Sequence, residues 1–172
     1  IRRDRNHPSV VMWSMGNELE NQGEPDYLKQ LEELVRWARE SDSTRPVTVA
    51  LRPKETSASK MTKEVLEIAT RVDAISCNYQ ESWFENYRKA NPDLIIIGSE
   101  IYPYFRGDGD NYKAFKPVNP WLDAAKHDYV AGSFYWTGID YLGEAVAGWP
   151  FHGWNGSLID TCGWVRPVGH LA

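Results

Sequence analysis

Cysteine is scarce: Cys77 and Cys162 are the only two in 172 residues, far apart and without the paired spacing of a zinc site. They read as two small hydrophobes rather than a disulfide framework. The four histidines, His7, His127, His152 and His170, form no HxxxH pair, so no dedicated metal site is indicated. Positive charge is in deficit too. Lys and Arg number 19 against 24 Asp and Glu, a net charge of -5, the opposite of the clustered basic surface that nucleic acid demands. No run approaches the roughly 18 consecutive apolar residues of a membrane-spanning helix. A glycine-rich phosphate loop is missing as well. The first apolar run ends in Gly16-Asn17-Glu18, where a carboxylate would repel phosphate.

What is present suits one globular domain, with 42% hydrophobic and 25% charged residues and enough length for a sizeable core. Eight Trp and nine Tyr stand out, many beside Gly, Asn, Asp and Pro, a setting in which ring faces line clefts. The opening "IRRDRNHP" reads as the end of a helix entering a turn, with no secretory pattern before it. An excerpt of a longer polypeptide is therefore expected, silent about compartment.

Five short β-branched or aromatic stretches read as buried strands: Val10–Ser14, Val47–Ala50, Ala74–Asn78, Leu94–Gly98 and Val130–Trp136. Helical spacing fills the gaps. Pro25 suits a first helical position, and Leu28, Leu31, Leu34, Val35 and Ala38 follow on one face. Met61, Val65, Ile68 and Ala69 repeat the pattern, then Trp83, Phe84 and Tyr87, and Asn119-Pro120 opens a last short helix. Strand and helix alternating in this way predict parallel strands joined by crossover helices. A complete doubly wound sheet and a piece of a (β/α)8 barrel both fit, and both place chemistry at the C-terminal ends of the strands.

Those ends carry Asn17 and Glu18, Leu51 and Arg52, Asn78 with Tyr79 and Gln80, Ser99 and Glu100, then Trp136, Thr137 and Asp140. The set is polar, aromatic and acidic, as a sugar site is. Glycosidic bonds break through an oxocarbenium-like transition state, which needs a proton donor for the departing oxygen and a carboxylate at the anomeric carbon. Glu18 and Glu100 are the only Glu side chains directly terminating the expected strands. A separation of about 5 Å would mean retention, and about 6.5 to 9.5 Å inversion through a water. Either glutamate alone would more often be a solvated loop residue. Two on equivalent rims argue for a pair.

"RDRNHPSVVMWSMGNELE", "LIIIGSE" and "GSFYWTGIDYLGE" together resemble the acid/base segment, nucleophile strand and last barrel strand of glycoside hydrolase family 2. The resemblance implies a partial (β/α)8 TIM barrel, strands four to eight, with residues 1–172 as the C-terminal portion of a catalytic domain. It implies Glu18 as general acid/base, Glu100 as nucleophile and Asn17 as contact to the hydroxyl beside the anomeric centre. Tyr79 would approach the nucleophile, Trp136 would wall the sugar pocket and Asp140 would bind a sugar hydroxyl. Trp13 is expected in the core. Arg3, Asp4, Arg5 and His7 are expected to be structural, Asp4 pairing with a neighbouring Arg.

No metal ligand set and no cofactor are implied within these residues. The family's β-glucuronidases carry an Asn-x-Lys pair that "WNGSLIDTCGWVRP" lacks, which favours a neutral sugar, galactose above others. The implied activity is a retaining β-glycosidase acting on an oligosaccharide or glycoside, with β-glucuronidase or β-mannosidase action, or a non-catalytic carbohydrate-binding role, as alternatives. Expected partners are the substrate and the remaining domains of the parent polypeptide, with self-association through open barrel edges, and neither nucleic acid nor membrane.

Overall fold

The computed structural model describes residues 1–55, 57–102, 120–143, 149–150, 153–154 and 156–170. Five strands form one parallel sheet: β1 (Trp13–Asn17), β2 (Val47–Leu51), β3 (Ile75–Asn78), β4 (Ile96–Ile101) and β5 (Val130–Tyr135), in the spatial order β1-β2-β3-β4-β5. Each strand pairs in parallel with its neighbour in sequence. A doubly wound sheet reverses its strand order at a switch point, whereas a (β/α)8 barrel advances one strand at a time. The observed order is that of the barrel.

The strand boundaries shift from expectation by one to three residues, most at β1 and β4. β1 starts at Trp13 rather than Val10, because its ladder opens with Trp13 N–H donating to the Pro46 carbonyl at 3.0 Å. Pro46 has no N–H to return, so pairing cannot extend further back. The Val10 carbonyl instead accepts from Arg45 Nε at 2.5 Å. β4 runs on to Ile101, which brings Ser99 and Glu100 inside the strand rather than beyond its end.

Alternation along the strands separates two faces. Val47, Val49, Leu51, Ile75, Cys77 and Ile96 point to the helices and are buried. They meet Tyr27, Leu28, Leu31, Val35 and Ala38 of α1 (Pro25–Ser41), and Met61, Val65 and Ile68 of α2 (Ala58–Ala69). Phe84 and Tyr87 come from α3 (Phe84–Ala90), which follows one 3-10 turn over Glu81–Trp83, and Ala124 from α4 (Pro120–Ala125). Leu34 departs from the expected apolar face and is 37% exposed, since it lies one residue, or about 100°, round the helix from Val35. Cys77 is core, whereas Cys162 is an exposed free thiol rather than a buried hydrophobe.

Among the described residues no helix packs on the other sheet face. Val11, Met12, Thr48, Ala50, Ile97 and Phe134 contribute to a groove of about 490 Å³ there. Beyond β5 the chain forms a small antiparallel ribbon, β6 (Tyr141–Leu142) with β7 (Gly153–Trp154).

Side-chain ties hold the frame. Gln22, fully buried, donates from Nε2 to the Arg52 carbonyl at 3.1 Å and to Glu64 at 2.6 Å, and accepts from Arg52 N–H at 3.0 Å. It fastens the loop between β1 and α1 to the end of β2. Asp42, at the C-cap of α1, accepts from Thr44, the Trp13 indole and Arg45. Trp13 is thereby half-buried and pinned at the edge of the fold rather than enclosed in the core. At the N-terminus Arg3 pairs with Asp4 at 2.8 Å, on an exposed surface, where such pairs contribute little.

Candidate active site

The C-terminal ends of β1, β3 and β4 converge. Asn17 closes β1, and Glu18 follows with φ of 51° and its N–H on the Ala50 carbonyl at 3.0 Å. Asn78 closes β3, and Tyr79 follows with φ of 57° and its N–H on the Glu100 carbonyl at 2.8 Å. Among the described residues these are the only two non-glycine residues with left-handed φ. Such a backbone costs about 1 to 2 kcal/mol for an L-residue and is concentrated at functional sites. The reversal lets the side chain after each strand turn across the strand ends instead of continuing outward.

Asn78 and Tyr79 each hold one glutamate. Asn78 Nδ2 donates to Glu18 Oε1 at 2.8 Å and to Asn17 Oδ1 at 3.0 Å, while Tyr79 Oη donates to Glu100 Oε2 at 2.7 Å. Ser99 Oγ, beside Glu100, donates to Asn78 Oδ1 at 2.6 Å. Burial first, then the hydrogen bond to Glu100, push the Tyr79 phenol well above its ordinary range. The hydroxyl therefore stays protonated and remains a donor to the carboxylate. Its ring stacks on Tyr102, with centroids 4.3 Å apart.

Trp136 lies just past β5, its N–H on the Ile101 carbonyl at 2.9 Å, so the strand that carries Glu100 also anchors this residue. Its ring meets the ring of Tyr141 edge-on at 5.8 Å. Asp140 is placed differently from the expected sugar contact. Its side chain is 7% exposed, and its oxygens receive the Ser157 hydroxyl and Arg166 Nη2 together with Ser157 N–H at 3.3 Å. Burial pulls its acidity one way and the Ser157 and Arg166 bonds outweigh it, leaving the carboxyl below its usual range. In this arrangement Asp140 fastens the segment after β5.

The structure thus gathers Asn17 and Glu18 on Asn78, ties Glu100 to the adjacent Tyr79, and sets Trp136 just past β5 on the Ile101 carbonyl. Asn78, Ser99 and Tyr102 belong to the same cluster; the sequence offered Asn78 and Ser99 only as polar strand-end residues, without a role, and did not single out Tyr102. The available signal was an amide closing the buried strand stretch "ISCN". Among the described residues no group of three or more His, Cys, Asp or Glu is gathered as metal ligands would be. Chemically, the cluster offers two carboxylates from different strands, one beside an amide and one beside a phenol.

The family profile "Glycosyl hydrolases family 2, TIM barrel domain" matches residues 1–104. The chain belongs to glycoside hydrolase family 2. Its family 2 relatives include the β-galactosidase BoGH2A of Bacteroides ovatus, 26% identical over 99% of this chain and 27% of that protein. A β-glucuronidase of Mus musculus is 29% identical over 83% of this chain and 25% of its own length. The crystal structure of a family 2 member from Bacteroides cellulosilyticus superposes with a TM-score of 0.75, at 31% identity, over 98% of this chain and 20% of that one. The chain spans only part of these curated relatives, 27% and 25% of the length of these two and 12% of a β-galactosidase of Enterobacter cloacae. The fold is thereby part of an α/β barrel.

Proposed function

We propose that residues 1–172 are the C-terminal portion of a family 2 catalytic barrel, strands four to eight, within a retaining β-glycosidase. The observation that carries this is the pair of adjacent residues, Asn78 and Tyr79, each bound to a glutamate from a different strand end. Glu100 attacks the anomeric carbon as the bond to the aglycone oxygen breaks, and Glu18 gives its proton to that oxygen. Water then attacks the glycosyl-enzyme, its proton returns to Glu18 and Glu100 leaves as carboxylate. The Tyr79 hydroxyl stabilises Glu100 as an anion and tempers its nucleophilicity until substrate arrives. Asn17 meets the hydroxyl beside the reacting carbon, a contact that strengthens as charge develops, and Trp136 supplies an apolar wall for the sugar's C–H face. No cofactor is needed for these steps.

A terminal β-galactosyl or related neutral unit is the proposed substrate. It is supported by the β-galactosidases among the relatives and by the missing Asn-x-Lys pair. The β-glucuronidases of comparable similarity make an aryl β-glucuronide the necessary control. In the longer polypeptide that carries this segment, Glu100→Gln is expected to lower turnover of an aryl β-galactoside by at least about a thousandfold. A fluorosugar is expected to label Glu100 covalently. Near-normal turnover by Glu100→Gln would remove it as the nucleophile, and an unlabelled Glu100 in an active enzyme would favour inversion.

A further inference from the structure

Asn78 is fully buried, yet its carboxamide faces three polar partners from two other strands or their ends. Both hydrogens of Nδ2 are used, one on Glu18 Oε1 at 2.8 Å and one on Asn17 Oδ1 at 3.0 Å, and Oδ1 accepts from Ser99 Oγ at 2.6 Å. The flipped amide would set Oδ1 against a carboxylate oxygen and an amide oxygen together, so the Ser99 hydroxyl and the two acceptors define one orientation. The sheet order places β2 between β1 and β3, so the Asn78 side chain reaches over a strand. The residue of β2 paired with Asn17 is Ala50, whose single methyl leaves little in the way.

An amide N–H does not give up its proton at any working pH, so Glu18 Oε1 is kept as an acceptor whether or not Glu18 is protonated. The mobile proton is then confined to Oε2. The same amide takes up Asn17 Oδ1, which turns Asn17 Nδ2 away from Asn78, and Asn17 is exposed. We propose that Asn78, steadied by Ser99, is the positioning residue of this site, confining the transferable proton to Glu18 Oε2 and presenting Asn17 as a hydrogen-bond donor. This rests on the assignment of Glu18 as acid/base.

The test compares two leaving groups in the complete enzyme: a dinitrophenyl β-glycoside, which departs without a proton, and an alkyl β-glycoside, which requires one. Galactosides serve if the wild type turns them over, and glucuronides otherwise. Asn78→Leu is expected to lower kcat/KM for the alkyl glycoside by about 10- to 100-fold more than for the dinitrophenyl glycoside. Ser99→Ala is expected to show a smaller split in the same direction. Asn78→Asp, isosteric and without the N–H donors, carries the comparison if the leucine variant does not fold. Equal losses on both substrates in the asparagine variants would mean a merely structural amide and would overturn the inference. Glu18→Ala separates the two claims. If it splits the substrates while the Asn78 variants do not, only the inference fails; if it does not split them, the acid/base assignment fails and the inference with it.

Discussion

Tyr79 and Glu18 adopt left-handed φ of 57° and 51°, a conformation that neither residue type favours, and both end up in the glutamate network. For Tyr79 the return on that geometry is a hydrogen bond of 2.7 Å to Glu100 from a phenol that burial keeps protonated. Tyr79→Phe keeps the ring that packs on Tyr102 and removes only the donor. Hydrogen bonds to charged groups contribute about 1.5 to 3 kcal/mol, so steady-state kinetics on an aryl β-galactoside should show kcat reduced by roughly 10- to 100-fold with KM little changed. An unchanged kcat would mean that the hydroxyl is irrelevant to the reacting carboxylate. Glu18, Glu100, Asn17 and Tyr79 were legible in the sequence because each sits at or next to a strand end in a recognisable motif. Asn78 and Ser99 were legible only as polar strand ends and not by role, because that role lies in contacts between residues 60 or 21 positions apart. The ties of Asp140 were hidden for the same reason: its partner Arg166 lies 26 residues on.

At the scale of elements, β1 is a strand whose outer edge has no pairing partner among the described residues, and Asp42 helps to secure it. The carboxylate accepts from Thr44 at 2.6 Å, from the Trp13 indole at 3.0 Å and from Arg45 at 2.7 Å. Thr44 above all, then Trp13 and Arg45, hold the Asp42 carboxyl well below the usual carboxylate range. A depressed folded-state value means stability that is present above the unfolded value near about 4 and lost as pH falls through the folded one. Tm is therefore expected to decline below about pH 4. Asp42→Asn should lower Tm at neutral pH and flatten that acid decline; a variant with the wild-type acid slope would assign the effect elsewhere. The helices were easily anticipated, since Pro25 and the Leu28, Leu31, Val35 and Ala38 face dictate α1 almost by themselves. The start of β1 was not, because Pro46, just before β2, sets it.

For the whole molecule the decisive feature is a sheet face on which no helix packs among the described residues. Val11 is 74% and Phe134 65% exposed, and both line the groove of about 490 Å³ on the side away from the helices. Exposed apolar surface with unpaired strand edges favours association. The 172-residue chain expressed by itself is expected to run as an oligomer on size exclusion with light scattering. The double variant Val11→Lys, Phe134→Lys should shift it toward monomer. The same isolated chain is expected to show no turnover of aryl β-galactosides, because five strands enclose a sugar on one side only; measurable hydrolysis would refute that.

The sequence by itself determined the alternation of strands and helices, the polar strand ends and the two glutamates, because periodicity and motif are local properties of a chain. Its periodicity could not choose between a doubly wound sheet and a barrel, and only the motif resemblance implied the barrel. Both have the same local rhythm and differ only in which strands lie side by side. The tertiary structure decided that by placing β1 to β5 in sequential parallel order. It also decided which oxygens and amides meet at the strand ends, since a hydrogen bond between distant residues exists only once the backbone has brought them within 3 Å.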